Sequence, residues 1–194
     1  PNVYEACKSI IPEINIPSDV TLPSEVLDGS IGHSRVVGAL SYALAGALGL
    51  AEREKLDVMR AGTLADIGKE VVPLYILSRP GGLLSSEHDL IKQHPDEGCR
   101  LMRNMGYDDP ATLAMVRHSH ERFDGSGYPQ GLKGERIPVG ARIIAVADAY
   151  DALTAWRVHR DPWERSAAIG EIERGANAAF GPGVVEALTK LVGK

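Results

Sequence analysis

The segment from Val139 to about Ala155 constrains this chain more than any other. It is apolar on most sides, and Ile143-Ile144-Ala145-Val146-Ala147 leads directly into Asp148. A run of that kind at helical length predicts a helix buried at the centre of a bundle, not one lying on its surface. A carboxylate there is costly unless it is paired, hydrogen-bonded or bound to a metal ion. Asp66 stands in similar surroundings, after Leu64-Ala65 and before Ile67-Gly68. Any fold this chain adopts must bring partners to both acids.

Elsewhere apolar residues recur at intervals of three and four, few segments alternate with period two, and aromatic residues make up only 5% of the chain. The expected fold class is therefore all-α, a bundle of about seven helices. The spacing predicts one helix over His33 to Leu50, with Val37, Leu40, Leu44 and Leu48 on one face, and a second over Glu52 to Leu64. A third is expected to start at a hydroxyl cap, Ser85 or Ser86, with Leu90, Ile91, Leu101, Met102 and Met105 as its core face. Asp109-Pro110 reads as the cap and first turn of a fourth, reaching about His120. A glycine-rich loop from Glu121 to Pro138 precedes the central helix, and Asp161-Pro162 and Gly181-Pro182 introduce two more. Residues 1–29 carry Pro1, Pro12, Pro17 and Pro23 and read as a lead-in with a short helix from an upstream module, leaving residues 30–194 as the domain.

Charge narrows the function. The chain carries a net charge of −5 over 194 residues, which disfavours non-specific binding to DNA or to anionic membranes. Between Arg117 and Arg160, however, seven basic residues face five acidic ones, so a locally basic, glycine-rich region sits in an acidic protein. Arginine donors and bare glycine backbone suit a compact phosphate ligand; a solvated surface loop is the plainer reading of the same residues. The longest uncharged stretch, Val36 to Ala51, is 16 residues, short of the roughly 18 to 20 that a membrane span requires. Cys7 and Cys99 lack partners at metal-ligand spacing and read as reduced thiols, and with no signal peptide in view the expected location is the cytoplasm.

Taken singly, each of His94 and His120 is best read as a satisfied core residue, and each of Asp66 and Asp148 as a salt bridge or cap. Leu113, Val116 and His120 are spaced three and four apart, which points the His120 ring inward. Together, inward-facing imidazoles and carboxylates on five separate segments suggest a metal centre inside the bundle.

Four motifs carry a resemblance. Asp66-Ile67-Gly68-Lys69, Lys92-Gln93-His94-Pro95, His120-Glu121-Arg122-Phe123-Asp124-Gly125-Ser126-Gly127-Tyr128-Pro129 and Asp148-Ala149-Tyr150-Asp151-Ala152-Leu153-Thr154 resemble the HD-GYP family of bacterial proteins in order and spacing, from about His33 to the C-terminus. The resemblance implies an HD-domain-like helical fold that hydrolyses cyclic di-GMP with two or three metal ions, commonly iron or manganese. It implies metal-ligand roles for His33, Asp66, His94, His120 and Asp148, with Asp66 bridging two ions. Lys69, Arg157 and Arg160 match phosphate and substrate contacts. Arg122, Asp124, Gly125, Gly127, Tyr128 and Pro129 match the loop through which the family is expected to engage partners.

Three positions depart from the pattern. Ala65 and Ser119 stand where the family places histidines, and Gly29 where three-metal members place a glutamate. Five of seven two-metal ligand positions remain, so the expected occupancy falls to one divalent cation or none. His118 lies about 100° around a helix from Ser119 and does not replace it. The leading expectation is a degenerate domain with little or no phosphodiesterase activity, sensing a cyclic dinucleotide or docking a signalling protein such as a diguanylate cyclase-type domain, downstream of a sensor or receiver domain. The alternative is an active phosphodiesterase for cyclic di-GMP or a related cyclic dinucleotide with an incomplete metal site. A third reading is a dimerising relay, a homodimer with Leu83, Leu84 and the C-terminal Val184, Val185, Leu188, Leu191 and Val192 available for packing.

Overall fold

The computed structural model describes residues 24–77, 79, 82–155 and 161–193, with backbone alone for 24–31. Its α-helices are α1 (Ser24–Ala47), α2 (Glu52–Leu64), α3 (Leu74–Leu77), α4 (Ser85–Ile91), α5 (His94–Asn104), α6 (Pro110–Arg117), α7 (Val139–Thr154), α8 (Arg165–Arg174) and α9 (Pro182–Val192). Two short 3₁₀ turns, Ile67–Val71 and Gly134–Arg136, complete the described elements. The class is all-α, with eight helices of seven residues or more among the described residues.

Helix α7 occupies the centre, touching α1, α2, α6, α8 and α9. Gly140, Ala141, Ile143, Ile144, Val146, Ala147, Tyr150 and Asp151 are all buried along it. The apolar run read from the sequence is therefore packed on most sides, with Ala145 half-buried and Val139 exposed. Leu40 and Leu44 of α1, Val58 and Ala61 of α2, Met102 of α5, Val116 of α6 and Leu188 of α9 join it in one core. The C-terminal Val184, Val185, Leu188 and Val192 face inward, and only Leu191 of that set is exposed.

Several boundaries differ from the sequence reading. Helix α1 begins at Ser24 instead of His33 and ends at Ala47, because Gly49 turns the chain with φ +78°. Residues 24–29, expected in the lead-in, are thus its first turns, Gly29 among them. The continuous helix expected after Ser85 is broken at Lys92-Gln93 into α4 and α5. The break leaves Leu90 and Met105 exposed, and Ile91 and Leu101 only partly covered. No serine caps α4: the buried Glu87 carboxylate accepts the Leu84 amide at 2.8 Å and pairs with Arg79. Asp109 does cap α6, accepting from the Thr112 amide at 2.7 Å. Helix α8 begins at Arg165, three residues later than Asp161-Pro162 suggested, without a side-chain cap.

Candidate metal centre

The centre forms where α1, α5 and α7, the 3₁₀ turn after α2 and the turn after α6 converge. Asp66 occupies the break between α2 and that turn, and the turn is held against α5 at close range. Gly68 permits this approach: a Cβ there would lie 1.8 Å from the His94 carbonyl oxygen. Only a residue without a side chain can bring Asp66 so near the first residue of α5.

His94 is 1% exposed. Its Nδ1 donates to the Ile91 carbonyl at 2.7 Å, which leaves Nε2 with a lone pair facing the site. His120 lies in the turn after α6, not on the helix as its spacing suggested, yet its ring still points inward. The two Nε2 atoms are 3.0 Å apart, and Asp66 Oδ1 is 3.6 Å from that of His94 and 3.9 Å from that of His120. Among the described residues, Asp66, His94 and His120 form the set whose ligand atoms all lie within 4.8 Å of one another.

The other oxygen of Asp66 faces a second set. Asp66 Oδ2 accepts from Lys69 Nζ at 2.6 Å and lies 3.7 Å from His33 Nε2. His33 Nε2 is 3.0 Å from Asp148 Oδ1, while its Nδ1 meets Asp151 Oδ2 at 2.6 Å. Asp148 is therefore paired, although its side chain is 38% exposed and less enclosed than its apolar run suggested. Asp151, 6% exposed and one turn later on the same face, is a participant that sequence reasoning missed. Its spacing of three from Asp148 was the available signal.

Protonation follows from this geometry. Burial alone would depress the His33 imidazole, but hydrogen bonds to Asp148, Asp151 and Asp66 push it up to about 11. Burial would raise the Asp66 carboxyl, yet His120, His33 and the Lys69 charge hold it well below the usual carboxylate range. Burial and the nearby His120 lower His94 to about 4, so its ring is neutral at ordinary pH. An ionised carboxylate and a neutral imidazole are the forms that bind metal.

Ala65 and Ser119 line one small cavity together with His33, Asp66, His120 and Asp148. It measures about 10 Å³, room for a single water molecule. The Ser119 hydroxyl donates to the Val116 carbonyl at 2.9 Å. His118 faces away, lining a separate groove with Cys99, Arg103 and Arg117.

The loop after His120 closes one side. The Tyr128 ring stacks on His120 at 5.1 Å between centroids, 5° from parallel. Buried Glu121 accepts the Gln130 and Leu132 amides at 2.8 and 3.1 Å, and the Tyr128 amide donates to the His120 carbonyl at 3.2 Å. A Cβ on Gly127 would lie 2.2 Å from the Arg122 amide nitrogen. The peptide bond between Tyr128 and Pro129 is cis. Asp124 accepts the Ser126 amide and hydroxyl, and Arg122 donates to the Ser126 hydroxyl, so both side chains of this basic region are committed to the loop itself. Arg157 and Arg160 lie outside the described residues.

A helical bundle with histidines and aspartates gathered at its centre is the architecture of an HD domain. The HD domain family matches residues 22–184, and this chain belongs to it. It is 40% identical over 145 residues to the cyclic di-GMP phosphodiesterase response regulator RpfG of Xanthomonas campestris, covering 74% of this chain and 38% of that protein. Over 161 residues it is 40% identical to the cyclic di-GMP phosphodiesterase PA4108 of Pseudomonas aeruginosa, covering 83% and 39%. The chain thus spans about two fifths of the length of these relatives. Among solved structures, Bd1817 of Bdellovibrio bacteriovorus, described as an HDGYP protein, superposes with a TM-score of 0.70 at 20% identity, covering 98% of this chain and 58% of that one. That likeness is one of fold.

Proposed function

We propose that this chain is an HD-GYP domain of bacterial cyclic-dinucleotide signalling whose metal centre is reduced to one divalent cation, and that it works as a ligand-sensing or protein-docking module with little or no phosphodiesterase activity. The carrying observation is the cavity at Ala65 and Ser119. An alanine methyl cannot ligate, and the Ser119 hydroxyl is turned onto a backbone carbonyl. The donors that remain mutually close, Asp66, His94 and His120, suit one iron or manganese ion. When bound, such an ion supplies Lewis acidity toward a phosphoryl oxygen and lowers the pKa of bound water. The chain's own residues set the stage: Lys69 fixes one oxygen of Asp66, Ile91 fixes His94, and Asp151 fixes His33.

The test is metal analysis of the purified protein combined with hydrolysis of cyclic di-GMP under reducing conditions with iron or manganese. One ion per chain without turnover is expected. Two ions with turnover would overturn this reading. Binding of cyclic di-GMP, followed by calorimetry, then separates a sensor from a docking module: saturable binding weakened by Arg157→Ala supports the first, absence of binding the second.

One observation favours the alternative, an active phosphodiesterase for cyclic di-GMP or a related dinucleotide. Asp66 presents its two oxygens to two different sides, and His33 with Asp148 lies on the second. The same hydrolysis assay decides between the two.

A further inference from the structure

We infer that Tyr128 is a positioning residue for the metal ligand His120, holding its imidazole by parallel stacking where no hydrogen bond from its remote ring nitrogen does so. This inference rests on the single-cation reading above.

The two histidines of the centre are held in different ways. A metal-binding imidazole ordinarily donates its remote N–H to a carboxylate or carbonyl, which fixes both tautomer and ring orientation. His94 obeys this rule through Ile91. His120 does not: among the described residues its ring is engaged only through Nε2, 3.0 Å from His94 Nε2 and 3.9 Å from Asp66 Oδ1, and no partner is seen at its Nδ1. Because His94 carries its proton on Nδ1, His120 must donate from Nε2 in the metal-free protein. For both Nε2 atoms to face one cation, that proton must sit on the His120 Nδ1, where no acceptor is found among the described residues.

The backbone does not restrain the ring either. His120 follows the end of α6 at Arg117, so its own helix does not confine its side chain, which is 23% exposed. His94 meets the ring edge-on at 4.7 Å, and Tyr128 covers its face, nearly parallel at 5.1 Å. Tyr128 is itself well anchored. Its amide bonds the His120 carbonyl, and Glu121 grips the chain at Gln130 and Leu132, on the far side of Pro129. The residue expected to serve the outer surface of the loop thus faces the metal centre.

The test compares Mn²⁺ affinity, by calorimetry on the full chain, among wild type, Tyr128→Phe and Tyr128→Leu. Phenylalanine keeps the stacking face, and leucine keeps bulk without it. The expected result is wild-type affinity within about twofold for Y128F and a loss of about tenfold for Y128L, the scale of an aromatic pair or of a lost outer-shell partner. Undiminished binding by Y128L would overturn the inference. A loss equal in both variants would overturn it too, by assigning the effect to the phenol hydroxyl. Should wild type bind no Mn²⁺, the single-cation reading fails separately, and the inference is judged on the metal-free protein. There the nuclear Overhauser contact between the His94 and His120 rings should persist in Y128F and vanish in Y128L; its persistence in Y128L would refute the positioning role. Thermal unfolding of the metal-free variants shows that each remains folded.

Discussion

At the residue scale, the chemistry turns on how each imidazole is partnered. His33 is surrounded by three carboxylates and raised to about 11, whereas His94 is buried beside another histidine and lowered to about 4. The stability of the metal-free protein should respond to both. For His33 the folded state binds its proton more tightly than the unfolded chain. Its contribution is complete below about pH 6.5 and disappears as pH rises toward 11. For His94 the folded state rejects the proton, so stability falls as pH drops from about 6.5 toward 4. The two groups together place the optimum near pH 6.5 in chelator, measured as thermal midpoint against pH. Replacing His33 with Gln should flatten the alkaline limb and leave the acid limb in place. Asp151→Ala should also shorten the alkaline limb, since it removes the buried 2.6 Å partner of Nδ1, while Asp151→Asn, which keeps an acceptor oxygen, should do so less. Equal limbs in wild type and H33Q would contradict this account.

At the scale of elements, the centre depends on two close approaches that only glycine allows. The 3₁₀ turn carrying Asp66 rests on α5 through Gly68, and the loop carrying Tyr128 rests on its own start through Gly127. A methyl at Gly68 meets backbone, which cannot swing aside as a flexible side chain can. Gly68→Ala should therefore cost on the order of 2–3 kcal/mol, as overpacking does, and move Asp66 away from His94. Denaturant unfolding gives the first effect, and loss of Mn²⁺ binding the second. Glu121→Gln should act differently, because it keeps the shape but weakens the charge-assisted bonds to the Gln130 and Leu132 amides. Faster amide exchange confined to residues 128–132 is the expected signature, with the bundle itself unaffected.

The helices were largely legible in the sequence, and most of their ends were not. The Glu52–Leu64 bounds and the start of the last helix at Pro182 follow from patterning and from proline in the first turn, both local signals. The break at Lys92-Gln93 is announced by Pro95, in the first turn of α5, which has no amide to bond the Ile91 carbonyl as a continuous helix would. That carbonyl accepts from His94 Nδ1 instead, which turns the ring toward Asp66. The cap of α4 was misread: Ser85 and Ser86 have the right chemistry, but Glu87, paired with Arg79, does the work from inside the fold. Of the site, the motif residues were legible. The roles of Asp151, Glu121 and Tyr128 were not, since each depends on which way a side chain turns once the helices have packed.

At the scale of the whole molecule, the site ties the bundle together. Residues from α1, the turn after α2, α5, the turn after α6 and α7 meet within a few ångströms, so a bound cation stabilises the folded state and nothing else. At a free Mn²⁺ concentration about one hundredfold above the dissociation constant, mass action gives about 2.7 kcal/mol. For a domain of this size that corresponds to a rise in melting temperature of roughly 5 to 10 °C. Chelator should remove the rise, and Asp66→Asn should abolish it, because Asp66 joins both halves of the centre. Restoring the two histidines, Ala65→His with Ser119→His, should raise the metal content to two ions per chain. A doubly restored protein that still binds one ion or none would show that the lost ligands are not the only defect.

What the sequence determined by itself was the class of fold, the central helix and the set of residues that could hold a metal, because periodicity and motif order are properties of the chain. It also fixed Ala65 and Ser119, the identities on which the proposed loss of ligands rests. Only the tertiary structure decided how those residues are partnered: Asp66 divided between two groups, His33 clasped by three acids, and His120 held beneath Tyr128. Such pairings rest on distances of a few ångströms between residues as much as 118 positions apart in the chain. Packing sets those distances, and no local pattern encodes them.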